Sequence, residues 1–365
     1  MKLLLDHQIF SSQNVGGISR YFCNLISEYK AIDPSISISL PISYHKNQHL
    51  TDIKHLIKDN NLSQKRGFQL FRNYQKENDE SIKKTLEAKD YDVFHATYYD
   101  KNLLKYIANK PLVITIHDMI HELYPEFFSL KDNTANHKRE LALRADKIIT
   151  VSENTKKDLL RFIKLDEKKI EVVPLASSFK ATKTSNNQND THKYLLFVGN
   201  RSIYKNFYFM VSSIADLLRQ NYNLHLICFG HEFSKKELAF LENLKIKEKV
   251  KTNGKTDAEL VKLYQNALAF IMPSYYEGFG IPTLEAMSCG CPVLAANKSS
   301  IPEVASDAAL YFDPKDAQSI RSSVEKILSD NQLRESLIKK GYQRNDLFSW
   351  NKTAEKTMKI YNSLI

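Results

Sequence analysis

Two glutamates eight positions apart, Glu277 and Glu285, bracket the run Gly278, Phe279, Gly280, Ile281, Pro282, Thr283 and Leu284. Upstream, Ala267 to Met272 reads as a short apolar strand stopped by Pro273 and Ser274. Downstream, Pro282 suits the first helical position, Leu284, Ala286 and Met287 supply an apolar face, and Gly290 stands where a helix closes. The two carboxylates therefore do not share one helix face: Glu277 falls on the loop and Glu285 in the first helical turn. Backbone amides at a helix start favour an anion, and phosphate is the usual one. The carboxylates would repel a bare phosphate, so they suit hydroxyls attached to it. Sugar, phosphate and ribose together describe a nucleotide sugar. Plainer readings use the same letters, since a first-turn glutamate also complements the helix dipole and a Glu-Gly pair is also a solvated turn.

Other residues offer matching chemistry. Arg201 and Lys205 stand four residues apart just past an apolar strand that ends at Val198, where two cations can neutralise a departing diphosphate. Gly16 and Gly17 follow the first strand and open an amphipathic helix from Ile18, so the backbone can approach a ligand closely there, although the Gly-x-Gly-x-x-Gly fingerprint is absent. His117 and Asp118 close the apolar run from Val113 to Ile116, on the ligand edge of the expected sheet. A histidine so placed can hydrogen-bond a sugar hydroxyl or steady charge near a reacting carbon. His95, ending the run from Asp92, is a weaker candidate of the same sort, and with Asp118 it is assigned to the acceptor side. Surface cations, a loop glycine pair and satisfied structural histidines are the plain alternatives.

These residues need a scaffold to bring them together. A chain of 365 residues exceeds one domain. Short apolar runs at 3–6, 36–40, 93–95, 112–117, 147–151 and 170–173 alternate with amphipathic stretches, which predicts a parallel sheet wrapped by helices. A polar linker, 181–192, follows, and the rhythm restarts at 194–198, 224–229, 267–272, 292–296 and 310–312. The expectation is α/β: two Rossmann-like domains, 1–180 and 193–347, facing one another so that their strand ends line a cleft. A terminal segment, 348–365, supplies one more helix.

The net charge of +10 admits nucleic acid, anionic lipid or a phosphorylated substrate as partners. A stretch from Lys65 to Tyr74 interleaves cations with aromatics and suits anionic lipid headgroups or a packed helix face. Cys23, Cys228, Cys289 and Cys291 form no Cys-x-x-Cys pair, so reduced, buried thiols and no metal are expected. No run approaches the length of a membrane span and none resembles a leader, which predicts a cytoplasmic protein.

Taken in order, Gly-Gly-Ile-Ser-Arg-Tyr, Ile-Thr-Ile-His-Asp, Thr150-Val151-Ser152-Glu153, Val-Gly-Asn-Arg-x-x-x-Lys-Asn, Glu-Gly-Phe-Gly-Ile-Pro-x-Leu-Glu-Ala-Met, Pro292-Val293 and Ile301-Pro302-Glu303-Val304 resemble the family 4 retaining glycosyltransferases of the GT-B fold. The resemblance implies that Glu277 contacts the donor sugar and Glu285 the ribose, and that Arg201 and Lys205 hold the diphosphate. It also implies that amides of Phe279 to Thr283 approach donor sugar and phosphate, with His117 at the transfer centre and Gly16-Gly17 near acceptor and phosphate. The arginine stands four residues before the lysine, where many members have it five before. The terminal helix is expected to pack back on the first domain. The implied substrates are a GDP- or UDP-linked sugar, with mannose preferred, and a saccharide or lipid-linked acceptor of a surface polysaccharide, with no cofactor and no nucleic acid. Peripheral attachment at the inner face of the membrane would suit such an acceptor. A nucleotide-sugar 2-epimerase of the same fold and a basic nucleic-acid-binding protein are the competing readings.

Overall fold

The computed structural model describes residues 1–57, 71–179 and 193–365, with residues 71–74 described by backbone only. The side chains of the 65–74 stretch and the expected linker 181–192 lie outside the described residues. The chain forms two compact units, Met1–Leu175 with Trp350–Ile365, and Ala176–Ser349.

The first unit holds β1 (Lys2–Leu5), β2 (Ser37–Ser39), β3 (Val93–Ala96), β4 (Leu112–Ile116), β5 (Lys147–Thr150) and β6 (Ile170–Val172) in the parallel order β2-β1-β3-β4-β5-β6. Helices cover both faces of such a sheet, so its strands carry unbroken apolar runs. Leu4, Phe94, Ile114 and Ile148 are fully or almost fully buried. The order reverses between β1 and β3, and there the chain ties its two strand ends together. The buried Asp6 carboxylate accepts from the backbone N–H of Thr97 (3.0 Å) and from the backbone (2.9 Å) and side chain (3.0 Å) of Gln8.

The second unit holds β7 (Lys193–Val198), β8 (Leu224–Phe229), β9 (Val250–Asn253), β10 (Ala269–Met272), β11 (Val293–Ala296) and β12 (Ala309–Phe312), all parallel, in the order β12-β11-β10-β7-β8-β9. Here the order reverses between β7 and β10. β9 is an edge strand reading Val-Lys-Thr-Asn with only Val250 buried, which is why no apolar run announces it.

The helix Trp350–Asn362 belongs to the first unit, where it packs on the helix Gly17–Ile32 through a buried polar chain. Tyr361 shares its hydroxyl with His95 Nδ1 (2.6 Å) and with the Tyr29 hydroxyl (3.1 Å). His95 Nε2 meets Thr115 Oγ1 (2.9 Å), which also meets the Tyr21 hydroxyl (3.2 Å). Burial pushes the pKa of His95 down to about 3, with a smaller contribution from His117. Because that lies below the ordinary 6.5, protonation favours the unfolded chain. This contribution to stability is whole above pH 6.5 and is lost as the pH falls toward 3.

Trp350, the single tryptophan, sits in the first unit and reports on it. Urea unfolding followed by its fluorescence should give a midpoint that drops steadily below about pH 6.5. Tyr361→Phe should cost about 1–3 kcal/mol by stranding a buried His95 nitrogen. A midpoint flat down to pH 4 and unchanged in the variant would contradict the buried chain.

Candidate active site

At the carboxyl edge of the second sheet, three loops converge on Glu277. The loop after β7 carries Lys205, and the loop after β10 carries Glu277. Lys205 Nζ donates to Glu277 Oε1 at 2.6 Å, with side chains only 16% and 12% exposed. The two loops are joined directly, because the N–H of Tyr275 donates to the carbonyl of Tyr204 (2.8 Å). The loop after β11 closes the ring: the Glu277 N–H donates to Ser299 Oγ (2.9 Å), and Ser300 Oγ donates to the Glu277 carbonyl (2.8 Å). These serines were not singled out from the sequence, although a Ser-Ser pair just before the Ile301–Ala305 helix marks an N-terminus.

β7 and β10 are also the strands between which the order reverses, and open parallel sheets bind ligands outside their carboxyl ends at that point. Gly199, at φ +134, turns the chain there; a Cβ on it would lie 3.8 Å from Lys205 Cε, so the lysine stem runs over the glycine.

The helix beside Glu277 spans Ile281–Ser288, with Gly280 before it at φ +89, a left-handed conformation that costs other residues strain. Pro282 is thus the second helical residue, and Glu285 is the fifth, one position deeper than expected and just past the first turn. Glu285 is 7% exposed, and its Oε2 receives the Tyr264 hydroxyl at 3.5 Å. Burial keeps that tyrosine's pKa well above its ordinary value, so its hydroxyl stays protonated to donate. The expected run of amides also shortens. Pro282 has no N–H and Thr283 N–H is spent on the Gly280 carbonyl (2.9 Å), which leaves Phe279, Gly280 and Ile281. The Phe279 side chain is buried edge-on against Phe348, so only its backbone is offered.

Arg201 and Lys205 are not brought together on one partner. The Arg201 guanidinium is paired with Glu237, donates through Nη2 to the carbonyls of His231 (3.0 Å) and Glu232 (2.9 Å), and lies 4.7 Å from the Phe233 ring centre. Burial works to raise the Glu237 pKa, but bonds from Arg201 and Ser234 outweigh it and hold the carboxyl below its ordinary range. Glu237 also completes a capping box with Ser234. Arg201 therefore braces the loop after β8, and Lys205 carries the charge beside Glu277.

In the first unit His117 stands just past β4. Its N–H donates to the Tyr99 hydroxyl (3.1 Å), its ring meets Tyr21 edge-on at 5.2 Å, and its Nε2 is buried with no partner among the described residues. Burial lowers its pKa to about 4, against the pull of Asp118 and with the help of Lys138. A neutral imidazole at ordinary pH can exchange a hydrogen bond with a hydroxyl. Asp118 Oδ1 accepts from the N–H of Ile120 (3.2 Å) and stays partly exposed. His95 leaves the acceptor set: it is fully buried with both ring nitrogens engaged. Gly16 and Gly17 do open the helix Gly17–Ile32, but Gln13 Oε1 already caps the Ser19 N–H (3.2 Å), and a Cβ on Gly16 would displace that side chain.

A lysine beside a helix start, at the reversal point of a parallel sheet, stands where open α/β sheets bind their ligands. The family described as "Glycosyltransferase Family 4" matches residues 15–176, and "Glycosyl transferases group 1" matches residues 178–344. An O-antigen chain mannosyltransferase B of Escherichia coli is 43% identical over 108 residues, which span 30% of this chain and 28% of that relative. Sucrose-phosphate synthase from Thermosynechococcus elongatus superposes with a TM-score of 0.78 at 19% identity, covering 100% of this chain and 98% of that one. Anabaena HepE, solved in complex with UDP and glucose, superposes with a TM-score of 0.75 at 18% identity over 99% of each chain. At such identities the likeness carries the fold alone, and that fold is GT-B. The chain belongs to the family 4, group 1 glycosyltransferases.

Gly280→Ala should lower the unfolding free energy of the second unit by about 1–2 kcal/mol, from the left-handed backbone alone. Hydrogen exchange of the Ile281–Ser288 helix would reveal it, and unaltered protection would contradict the strained helix start.

Proposed function

We propose that the chain is a retaining glycosyltransferase that moves a hexose, with mannose the first choice, from a GDP- or UDP-linked donor to a hydroxyl of a growing surface polysaccharide or lipid-linked oligosaccharide. The observation that carries the reading is the Lys205–Glu277 pair at the ends of β7 and β10, beside the start of the Ile281–Ser288 helix. The mannosyltransferase relative supports the sugar, and the UDP and glucose held by Anabaena HepE support a nucleotide-linked donor.

In this reading the donor diphosphate lies over the amides of Phe279, Gly280 and Ile281, and Lys205 turns part of its charge from Glu277 to the phosphates. Glu277 then accepts hydroxyls of the donor sugar, while Glu285 accepts those of the ribose. The acceptor oxygen bonds to the anomeric carbon as the carbon–oxygen bond to the diphosphate breaks on the same face. The acceptor proton passes to the departing phosphate oxygen, so the protein contributes position and electrostatics. His117, uncharged, takes a hydrogen bond from the reacting sugar. Lys205 and the amides meet the leaving charge, so the proposal needs neither a metal nor a cofactor.

We place the protein in the cytoplasm, at the inner face of the membrane, on its net charge of +10 and a lipid-linked acceptor. Among the described residues no helix is long and apolar enough to cross a membrane. The nucleic-acid-binding reading finds no support in either family match.

A panel of nucleotide sugars, scored for thermal stabilisation and slow donor hydrolysis, identifies base and sugar together. Accumulation of the 2-epimer without acceptor would favour the epimerase instead. Lys205→Ala should slow transfer by about 10²–10³-fold. Glu277→Gln should slow transfer comparably while keeping nucleoside diphosphate affinity within about tenfold. The double variant removes both charges, so it should fold as the parent does and stay inactive. Near-normal turnover in Lys205→Ala would sink the assignment.

A further inference from the structure

A lysine with no solvent exposure is costly unless its protons have partners. Lys138, on the helix Thr134–Arg144, is fully buried beside Leu141 and Ala142, where an apolar residue would fill the same space more cheaply. Its Nζ donates to the Asp118 carbonyl (2.9 Å) and to Glu122 Oε2 (3.0 Å), and stands 4.0 Å from Asp118 Oδ1. It also lies 5.4 Å from the Tyr99 ring centre. The Tyr99 hydroxyl accepts from the His117 N–H (3.1 Å) and donates to the Thr115 carbonyl (3.0 Å). The chain is thus gripped on both sides of His117: at its own N–H by Tyr99, and at the next carbonyl by Lys138. The helix Thr134–Arg144 brings the cation under a turn that belongs to a strand some twenty residues earlier.

We propose that Lys138 is a positioning residue, which fixes the His117–Asp118 turn and so holds the His117 imidazole in one orientation for the reacting sugar. This rests on the transfer role given to His117 above. Nothing in the sequence pattern around His117 points to it; the available signal is a lysine on the buried face of its helix, three and four residues before Leu141 and Ala142.

The test compares Lys138→Met with the parent chain, using the donor that the panel selects. Nucleoside diphosphate affinity, a property of the second unit, should stay within about twofold, while kcat falls about 100-fold with little change in donor KM. A kcat within twofold of the parent, or equal losses of affinity and turnover, would overturn the proposal. If Lys138→Met does not fold, Tyr99→Phe releases the same turn from its other side, and should lower kcat about tenfold; an unchanged kcat would overturn it. A second readout needs no activity. In spectra of 15N-histidine-labelled protein, the His117 ring signals should move in Lys138→Met while those of His225 and His231 hold still. If the parent transfers no sugar from any donor, the glycosyl-transfer reading fails and the sugar role of His117 with it; the spectrum then tests the grip of Lys138 on the turn by itself, and an unmoved His117 signal overturns that grip.

Discussion

The Lys205–Glu277 pair, 2.6 Å apart on separate loops, rests on β7 and β10 lying side by side, so that their two following loops start next to one another. The chain runs β7-β8-β9 toward one edge of the sheet, then crosses back to lay β10, β11 and β12 on the other side. Loops diverge where that order reverses, which opens a crevice. The protein ties the crevice walls with the Tyr275–Tyr204 backbone bond and with Ser299 and Ser300, so Glu277 is fixed at both its N–H and its carbonyl. The first sheet reverses between β1 and β3, but there Asp6 and Thr97 knit the strand ends into a buried polar knot. One reversal point is sealed, and the other carries the Lys205–Glu277 pair beside the helix start at Gly280.

The electrostatics of the pair follow from its mostly buried setting. A cation and a carboxylate withdrawn from water hold each other in place at a desolvation cost, and an arriving polyanion can draw on a charge already aimed at it. Glu277 in the protein without donor keeps Lys205 from reaching elsewhere. Arg201 is held separately, by Glu237, two carbonyls and the Phe233 ring.

Much of the scaffold was legible in the sequence because buried parallel strands must be apolar along their whole length, and runs such as Leu112–Ile116 and Ala269–Met272 are. The edge strand Val250–Asn253 escaped, since an edge strand buries only part of itself. In the site, Lys205, Glu277 and the Gly280 turn were legible because their chemistry is local: a strand end, a glycine, a helix start. Partners distant in sequence were not. The sequence shows neither that Arg201 folds against Glu237 nor that Tyr361, 266 residues later, arrives at the His95 ring. The helix begins one residue before Pro282, because the left-handed Gly280 sets its start, and this carries Glu285 just past the first turn.

The most direct measurement is a crystal structure of the full chain with a nucleoside diphosphate bound. The account predicts diphosphate oxygens over the amides of residues 279–281, with Lys205 Nζ about 2.7–2.9 Å from one of them and Glu277 released from full pairing. A diphosphate bound elsewhere, or bound there with Lys205 still committed wholly to Glu277, would contradict it.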